Sequence, residues 1–164
     1  MAPSLQIDKH AALRTIGLLR EFTDVGLRIL AEASQQKSVG RGTYAFRAGE
    51  PSDSLWFVAR GTLQLLPRDG GAPLGEVPAG DTLGGFSLLA GGEHLLSAMA
   101  TTDVELLQLS HEAFEALKGS HPRTALKLTV ALAQDLAGRL REAKGPLREF
   151  LVWQISKRQS SDGR

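Results

Sequence analysis

The chain has 164 residues, no cysteine, and 19 Lys plus Arg against 18 Asp plus Glu. The lack of cysteine excludes a disulfide framework, thiolate metal sites and a cysteine nucleophile. A net charge of +1 gives no basis for sequence-independent attraction to DNA phosphates. No apolar run approaches the roughly 18–20 residues of a membrane span, and the opening segment has no signal-peptide core. We therefore expect a cytoplasmic protein with no membrane partner.

Helical spacing opens the chain. Apolar residues three apart predict a first helix over 11–19. A second helix is predicted from about Asp24 to Ser34, with Thr23 or Asp24 as its N-cap. Residues 1–18 are assigned to a helical lead-in.

The middle of the chain has the pattern of β structure. From Ser38 to Ser110, short apolar segments are broken by Gly, Pro and Asp about every 8–12 residues, which is typical of an all-β sandwich or barrel. The run Arg68-Asp69-Gly70-Gly71 predicts a hairpin turn, because glycine accepts a positive φ. The candidate strands are Thr43–Arg47, Leu55–Arg60, Thr62–Pro67, Leu74–Val77, Ser97–Thr101 and Val104–Leu109.

Helical spacing returns after Ser110. This serine is a predicted N-cap for a helix over His111–Leu117 that ends at Gly119. Pro122 begins the longest helical pattern, which extends to about Ala143. Gly145-Pro146 stops it and can begin a last helix.

The apolar stripe of the long helix predicts contact with a protein partner or with a second copy of the chain. The alternative is that this helix packs wholly on its own domain. The predicted interface residues are Leu128, Leu132, Leu136, Leu140, Phe150 and Trp153.

Several turn sequences occur in a recognisable order. They are Phe46-Arg47-Ala48-Gly49-Glu50, the strand, turn and strand of 55–63, the approach 74–81, and the closing strand 104–109. Together they resemble the cyclic nucleotide-binding domain of the catabolite activator and protein kinase regulatory subunit superfamily. The resemblance covers roughly Leu19 to Ala143 and implies a mainly β fold. That fold is an eight-stranded, jelly-roll-like β-barrel with N-terminal helices and a long C-terminal helix. We place this domain at 19–143 and a helical extension at 144–164.

The resemblance also implies a phosphate-binding cassette, and this sequence departs from it at two charges. Gly85 stands where the family has a glutamate that accepts from the ribose hydroxyl, and Leu96 stands where it has the phosphate-binding arginine. The candidate ligand-binding residues of this degenerate cassette are Gly84, Gly85, Phe86, Ser87, Leu88, Leu96, Ser97, Ala98 and Arg139.

Some cassette groups keep binding chemistry. The backbone amides of Gly84, Gly85, Phe86 and Ser87 and the Ser87 hydroxyl can bind an anion, and Ser97 can offer a hydroxyl near the base. His94, Arg139 and Arg141 can bring charge from other directions, although an ordinary loop or surface role fits each of them. Leu95 and Leu96 are predicted to fill the pocket.

Nothing in the sequence predicts an enzyme. The four histidines have no metal-like spacing, no P-loop is present, and Leu89 stands where a nucleophile elbow needs its second glycine. About 20 residues follow Ala143, so no DNA-binding domain of winged-helix type is predicted. We expect a regulatory module with lost or weak cyclic AMP and cyclic GMP binding, which acts through protein contacts. The alternative is a sensor that binds a cyclic nucleotide or cyclic dinucleotide through other contacts; no other cofactor is predicted.

Overall fold

The computed structural model describes residues 5–143 and residue 145. The chain divides into two compact units, Met1–Thr129 and Val130–Arg164. The β structure lies in the first unit. The predicted last helix after Gly145, with Phe150 and Trp153, lies outside the described residues. None of the described helices is long and apolar enough to cross a bilayer.

Two short helical elements and one longer helix precede the strands. Helix α1 (Lys9–Arg14) begins at Asp8, whose carboxylate accepts from the Ala11 amide at 3.1 Å. A single 3₁₀ turn (Gly17–Leu19) follows, so the continuous helix predicted over 11–19 is wrong. The helix ends early because the Thr15 hydroxyl bonds the Ala12 carbonyl at 2.7 Å, and Gly17 comes two residues later. Helix α2 (Asp24–Ala33) has Thr23 as its N-cap, as predicted.

Residues 35–110 of the described chain form eight antiparallel strands in two four-stranded sheets. Their bounds are β1 Gln35–Val39, β2 Tyr44–Phe46, β3 Ser54–Arg60, β4 Thr62–Pro67, β5 Gly75–Pro78, β6 Thr82–Leu83, β7 Leu96–Ala100 and β8 Val104–Ser110. The strand orders are β1-β8-β3-β6 and β2-β7-β4-β5. The arrangement is jelly-roll-like, as predicted, but the two sheets do not close into one barrel.

Apolar side chains from both sheets form one core. Alternate residues of a strand share a face, so Trp56 and Val58 of β3 lie on the same side as Leu106 of β8. The core residues are Phe46, Trp56, Val58, Leu63, Val77, Ala98, Ala100, Val104 and Leu106. Leu55 and Phe57 lie on the other face of β3 and are also fully buried, which explains the unbroken apolar run of this strand.

Strand β1 is absent from the sequence-based prediction because its residues are almost all polar. Its Gln36 and Ser38 side chains donate to the carboxylate of Glu105 on β8, each at 2.7 Å. Glu105 is only 8% exposed, so these bonds satisfy a buried charge. A polar strand of this kind carries no apolar alternation to reveal it.

One short helix, α3 (Gly85–Ala90), lies between β6 and β7. Two helices follow β8, α4 (His111–Ser120) and α5 (Pro122–Glu142). Ser110 caps α4 as predicted, but the prediction that Gly119 ends this helix is wrong. The helix runs one residue further because the His121 amide still bonds the Leu117 carbonyl at 2.7 Å, and the chain turns only before Pro122.

Candidate functional site

The candidate cassette is the segment between β6 and β7, and its shape depends on Gly84. This residue precedes α3 with φ +82°. A Cβ atom there would lie 2.3 Å from the Ser54 carbonyl oxygen, closer than any real contact. Position 84 therefore requires glycine for both its backbone conformation and its neighbour. Leu88, four residues on, is fully buried, and its amide bonds the Gly84 carbonyl at 3.1 Å.

The two positions that lack the expected charges lie at the ends of this segment. Gly85 is the first residue of α3, and Leu96 is the first residue of β7, opposite Pro67 of β4. Leu96 is half-buried and shares its strand face with the buried Ala98. Neither position offers a carboxylate or a guanidinium to a ligand.

The turn between β2 and β3 is hydrogen-bonded to the cassette loop along its length. The Gly49 amide donates to the His94 carbonyl at 2.8 Å, and the His94 amide donates to the Glu50 carbonyl at 2.9 Å. The Ser52 amide donates to the Gly92 carbonyl at 2.8 Å, and the Ser52 and Ser87 hydroxyls bond each other. The loop therefore has a fixed position against this turn.

Ser97 has a backbone partner of its own. Its hydroxyl accepts from the Ala48 amide at 2.9 Å, on the neighbouring strand end. The hydroxyl hydrogen stays available for a second contact. The two candidate hydroxyls of the cassette, those of Ser87 and Ser97, are thus both held by the β2–β3 turn.

A row of aromatic rings runs from the cassette loop into the core. The His94 and Phe46 rings stack with centroids 3.7 Å apart, and the Phe46 and Trp56 centroids lie 6.4 Å apart. Burial lowers the pKa of His94 below its ordinary 6.5, while the negative charges of Glu50 and Asp53 partly oppose this shift. His94 is therefore a packed ring as well as a loop residue.

Trp56 presents a buried donor beside the cassette. Its indole N–H finds no hydrogen-bond partner among the described residues, although the side chain is only 7% exposed. The Cδ1 atom, next to this nitrogen, lies 3.5 Å from the point where a Cβ on Gly84 would stand. A buried donor without a partner is uncommon and often marks a place where a water or ligand binds.

Two apolar cassette residues face outward. Leu95 is 83% exposed, so the prediction that it fills the pocket is wrong for this residue. Phe86, on α3, is 69% exposed. The bonds of the Gly49 amide and the Glu50 carbonyl to His94 fix the backbone next to Leu95, and its side chain is left outside.

The long helix α5 carries the remaining predicted residues. Leu128 and Leu132 are buried within a single chain, whereas Leu136 and Leu140 are half-buried. The large apolar residues exposed on this helix are Leu126 and Val130. Arg139 pairs with Asp135 of the same helix at 2.9 Å.

Sequence reasoning missed one basic residue of this region, Arg68. Its guanidinium covers Gly49, with Nη2 3.0 Å from the point where a Cβ would stand, and it pairs with Glu93 of the cassette loop at 3.7 Å. The sequence places Arg68 only in a hairpin turn, so the signal for this contact is tertiary.

Two antiparallel sheets with a short helix between β6 and β7 define the cyclic nucleotide-binding class of fold. The family model of the cyclic nucleotide-binding domain matches residues 36–121. The chain therefore belongs to the cyclic nucleotide-binding domain family.

Similar proteins include regulators. The chain is 34% identical over 130 residues to the cyclic AMP receptor protein of Thermus thermophilus. The aligned region covers 77% of this chain and 56% of that protein. The crystal structure of the N-terminal domain of a transcriptional regulator from Streptomyces coelicolor A3(2) superposes with a TM-score of 0.71 at 26% identity. That match covers 82% of this chain and 98% of the other.

A longer relative also matches. An NTE family protein of Mycobacterium tuberculosis is 26% identical over 149 residues, which is 91% of this chain and 25% of the relative. The chain thus spans about a quarter of the length of this mycobacterial protein.

Proposed function

We propose that this chain is a non-catalytic regulatory module whose cassette binds cyclic AMP and cyclic GMP weakly, and which acts through protein contacts. The observation that carries the proposal is the pair Gly85 and Leu96, at the two positions where the family pattern has charged side chains. Regulatory relatives of the same fold support the module's role in signalling.

The size of the expected loss follows from the missing contacts. A hydrogen bond to a charged group contributes about 1.5–3 kcal/mol, and the cassette lacks two of them. Their combined loss weakens a ligand by roughly 100-fold or more, since each 1.4 kcal/mol is a factor of ten. Ser87 and Ser97 are neutral and already bonded, so they replace little of this energy.

The proposed partner surface is the exposed side of α5 together with the segment after Gly145. Leu126 is 65% exposed and Val130 is 46% exposed, one helical turn apart. Exposed apolar side chains in a row on a helix are typical of a surface that a partner or a second copy covers. Leu128 is fully buried and is not available to a partner.

A second candidate function is a sensor that uses contacts outside the family pattern. The observation that favours it is the indole N–H of Trp56 beside Gly84, which has no hydrogen-bond partner within the described part of the chain. A ligand with a hydrogen-bond acceptor at that place gains an interaction that the family pattern does not predict.

Isothermal titration calorimetry with cyclic AMP and cyclic GMP tests the proposal. We expect dissociation constants no tighter than roughly 100 μM for both, given the two missing contacts. A micromolar constant for either nucleotide contradicts the degenerate cassette and favours the sensor. A cyclic dinucleotide serves as the third titrant, because tight binding of that compound alone identifies the second candidate.

A further inference from the structure

Arg68 reaches the cassette from a neighbouring strand. It follows Pro67, the last residue of β4, which lies directly opposite Leu96. Arg68 is therefore one residue beyond Pro67, the strand partner of Leu96, and Leu96 is the position where the family's arginine is absent. Three atoms of its guanidinium lie within 4 Å of the position that a Cβ atom would take at Gly49. The distances are 3.0 Å for Nη2, 3.4 Å for Cζ and 3.9 Å for Nε.

Glycine at position 49 makes this placement possible. A side chain there would meet the guanidinium, and φ of +90° is itself a backbone conformation that favours glycine. The guanidinium consequently lies on the backbone of the turn that is hydrogen-bonded to the cassette loop through His94.

The other contact of Arg68 is with a carboxylate of the cassette loop. Glu93 Oε2 lies 3.7 Å from Arg68 Nη1, and both side chains are more than 60% exposed, at 62% and 63%. Exposed pairs at this distance are weak, because water screens them and both long side chains lose freedom. Another anion can therefore displace Glu93 from Arg68 with only a small loss of interaction free energy.

We propose that Arg68 is the cation of a phosphate-binding site at the edge of the cassette, and that Glu93 competes with the ligand for it. A guanidinium suits this role because its planar donors match two phosphate oxygens. This proposal deepens the proposed function and rests on it, since it names the residue behind the remaining nucleotide affinity.

A pair of hydroxyls lies close to the same turn. Ser52, three residues after Gly49, donates its hydroxyl hydrogen to the Ser87 hydroxyl of α3, and three residues span at most about 10 Å. The acidic groups Glu50, Asp53 and Glu93 also lie on this turn or loop, and Glu50 and Asp53 act on His94. Their repulsion of a phosphate keeps the affinity low, which agrees with weak binding.

The test compares three variants of the full chain by NMR chemical-shift titration with cyclic AMP, to about 10 mM. We expect Arg68→Gln to weaken binding about tenfold, the usual size of one lost charged contact. We expect Glu93→Gln to tighten binding about threefold or more, because the competing carboxylate is gone and the repulsion falls. Arg47→Gln is the matched control, because it also removes one cation next to the same turn. The Arg47 guanidinium lies over the Tyr44 ring, 4.0 Å from its centroid.

Adenosine serves as the probe without phosphate, and its shifts should not respond to Arg68→Gln. Equal weakening by Arg68→Gln and Arg47→Gln, or no tightening by Glu93→Gln, overturns the Arg68 proposal. No cyclic AMP binding to about 10 mM also overturns it but leaves the degenerate cassette standing. Micromolar binding that Arg68→Gln weakens contradicts the degenerate cassette and keeps Arg68 as the cation.

Discussion

The imidazole of His94 stacks on the ring of Phe46, with centroids 3.7 Å apart and ring planes 9° apart. This contact joins the cassette loop to β2 and buries part of a titratable group. Burial disfavours the imidazolium, so the pKa of His94 lies below 6.5 despite the opposing charges of Glu50 and Asp53. The cassette region should therefore respond to mild acid.

The first prediction concerns pH. Because the folded pKa of His94 is lower than the unfolded one, the unfolded chain binds more protons between the two values, and stability falls as the pH falls through about 6.5. His94→Phe keeps an aromatic ring and should reduce the loss of Tm between about pH 7.5 and 5.5. His121→Gln removes a histidine whose side chain is exposed and serves as the control. Identical slopes for wild type and His94→Phe contradict the prediction.

The second prediction separates backbone strain from steric conflict in the cassette. Gly91→Ala should cost about 1–3 kcal/mol of unfolding free energy, because φ +67° with ψ −163° is a conformation adopted almost only by glycine, but no atom of the described residues lies within 4 Å of the new Cβ. Gly84→Ala should cost more than about 3 kcal/mol, because the Ser54 backbone must also move. Urea unfolding measures both, and equal losses would show that the Ser54 contact relaxes freely.

The third prediction restores the missing charges. The double variant Gly85→Glu with Leu96→Arg should bind cyclic AMP at least about tenfold more tightly than wild type, because two charge-assisted contacts return. Gly85→Gln with Leu96→Gln is the uncharged control and should gain little. Calorimetry measures the constants. Without a gain from the charged pair, the cassette must be closed by its shape as well.

The fourth prediction tests the long helix with two neighbouring leucines. Leu128→Ala should cost about 2–5 kcal/mol, because this side chain is fully buried. Leu126→Ala should change stability by less than about 0.5 kcal/mol, since Leu126 is 65% exposed. Leu126→Glu should instead reduce self-association measured by light scattering. A wild-type chain that is strictly monomeric at high concentration leaves only association with another protein.

Strands with apolar alternation or an apolar run were accessible from the sequence. The pattern predicts a strand at Thr62–Pro67, and β4 has the same bounds. Strand β6 has only two residues, which is too short for any periodic signal. The ends of helices depend on single backbone bonds, such as that of the His121 amide, and composition does not encode them.

Part of the cassette could be predicted from the sequence. The sequence predicts a strand at Ser97–Thr101, and β7 (Leu96–Ala100) begins and ends one residue earlier, so Leu96 is its first residue. The exposure of Leu95 and the position of Arg68 depend on contacts between distant segments, in which the β4–β5 hairpin meets Gly49 and the loop of Glu93. The hydrophobic periodicity of a sequence describes one segment at a time and does not predict tertiary contacts between distant segments.

The close approach of Gly84 to Ser54 has a consequence for how such a domain can change in evolution. The turn depends on Gly84, which has no side chain. In the family pattern, the charged side chains that contact the ligand belong to positions 85 and 96. Substitutions at those two positions change the charges that are offered to a ligand and leave the glycine that the turn needs unchanged. A domain of this fold can in this way change its ligand contacts in one or two substitutions while the backbone of the turn stays the same.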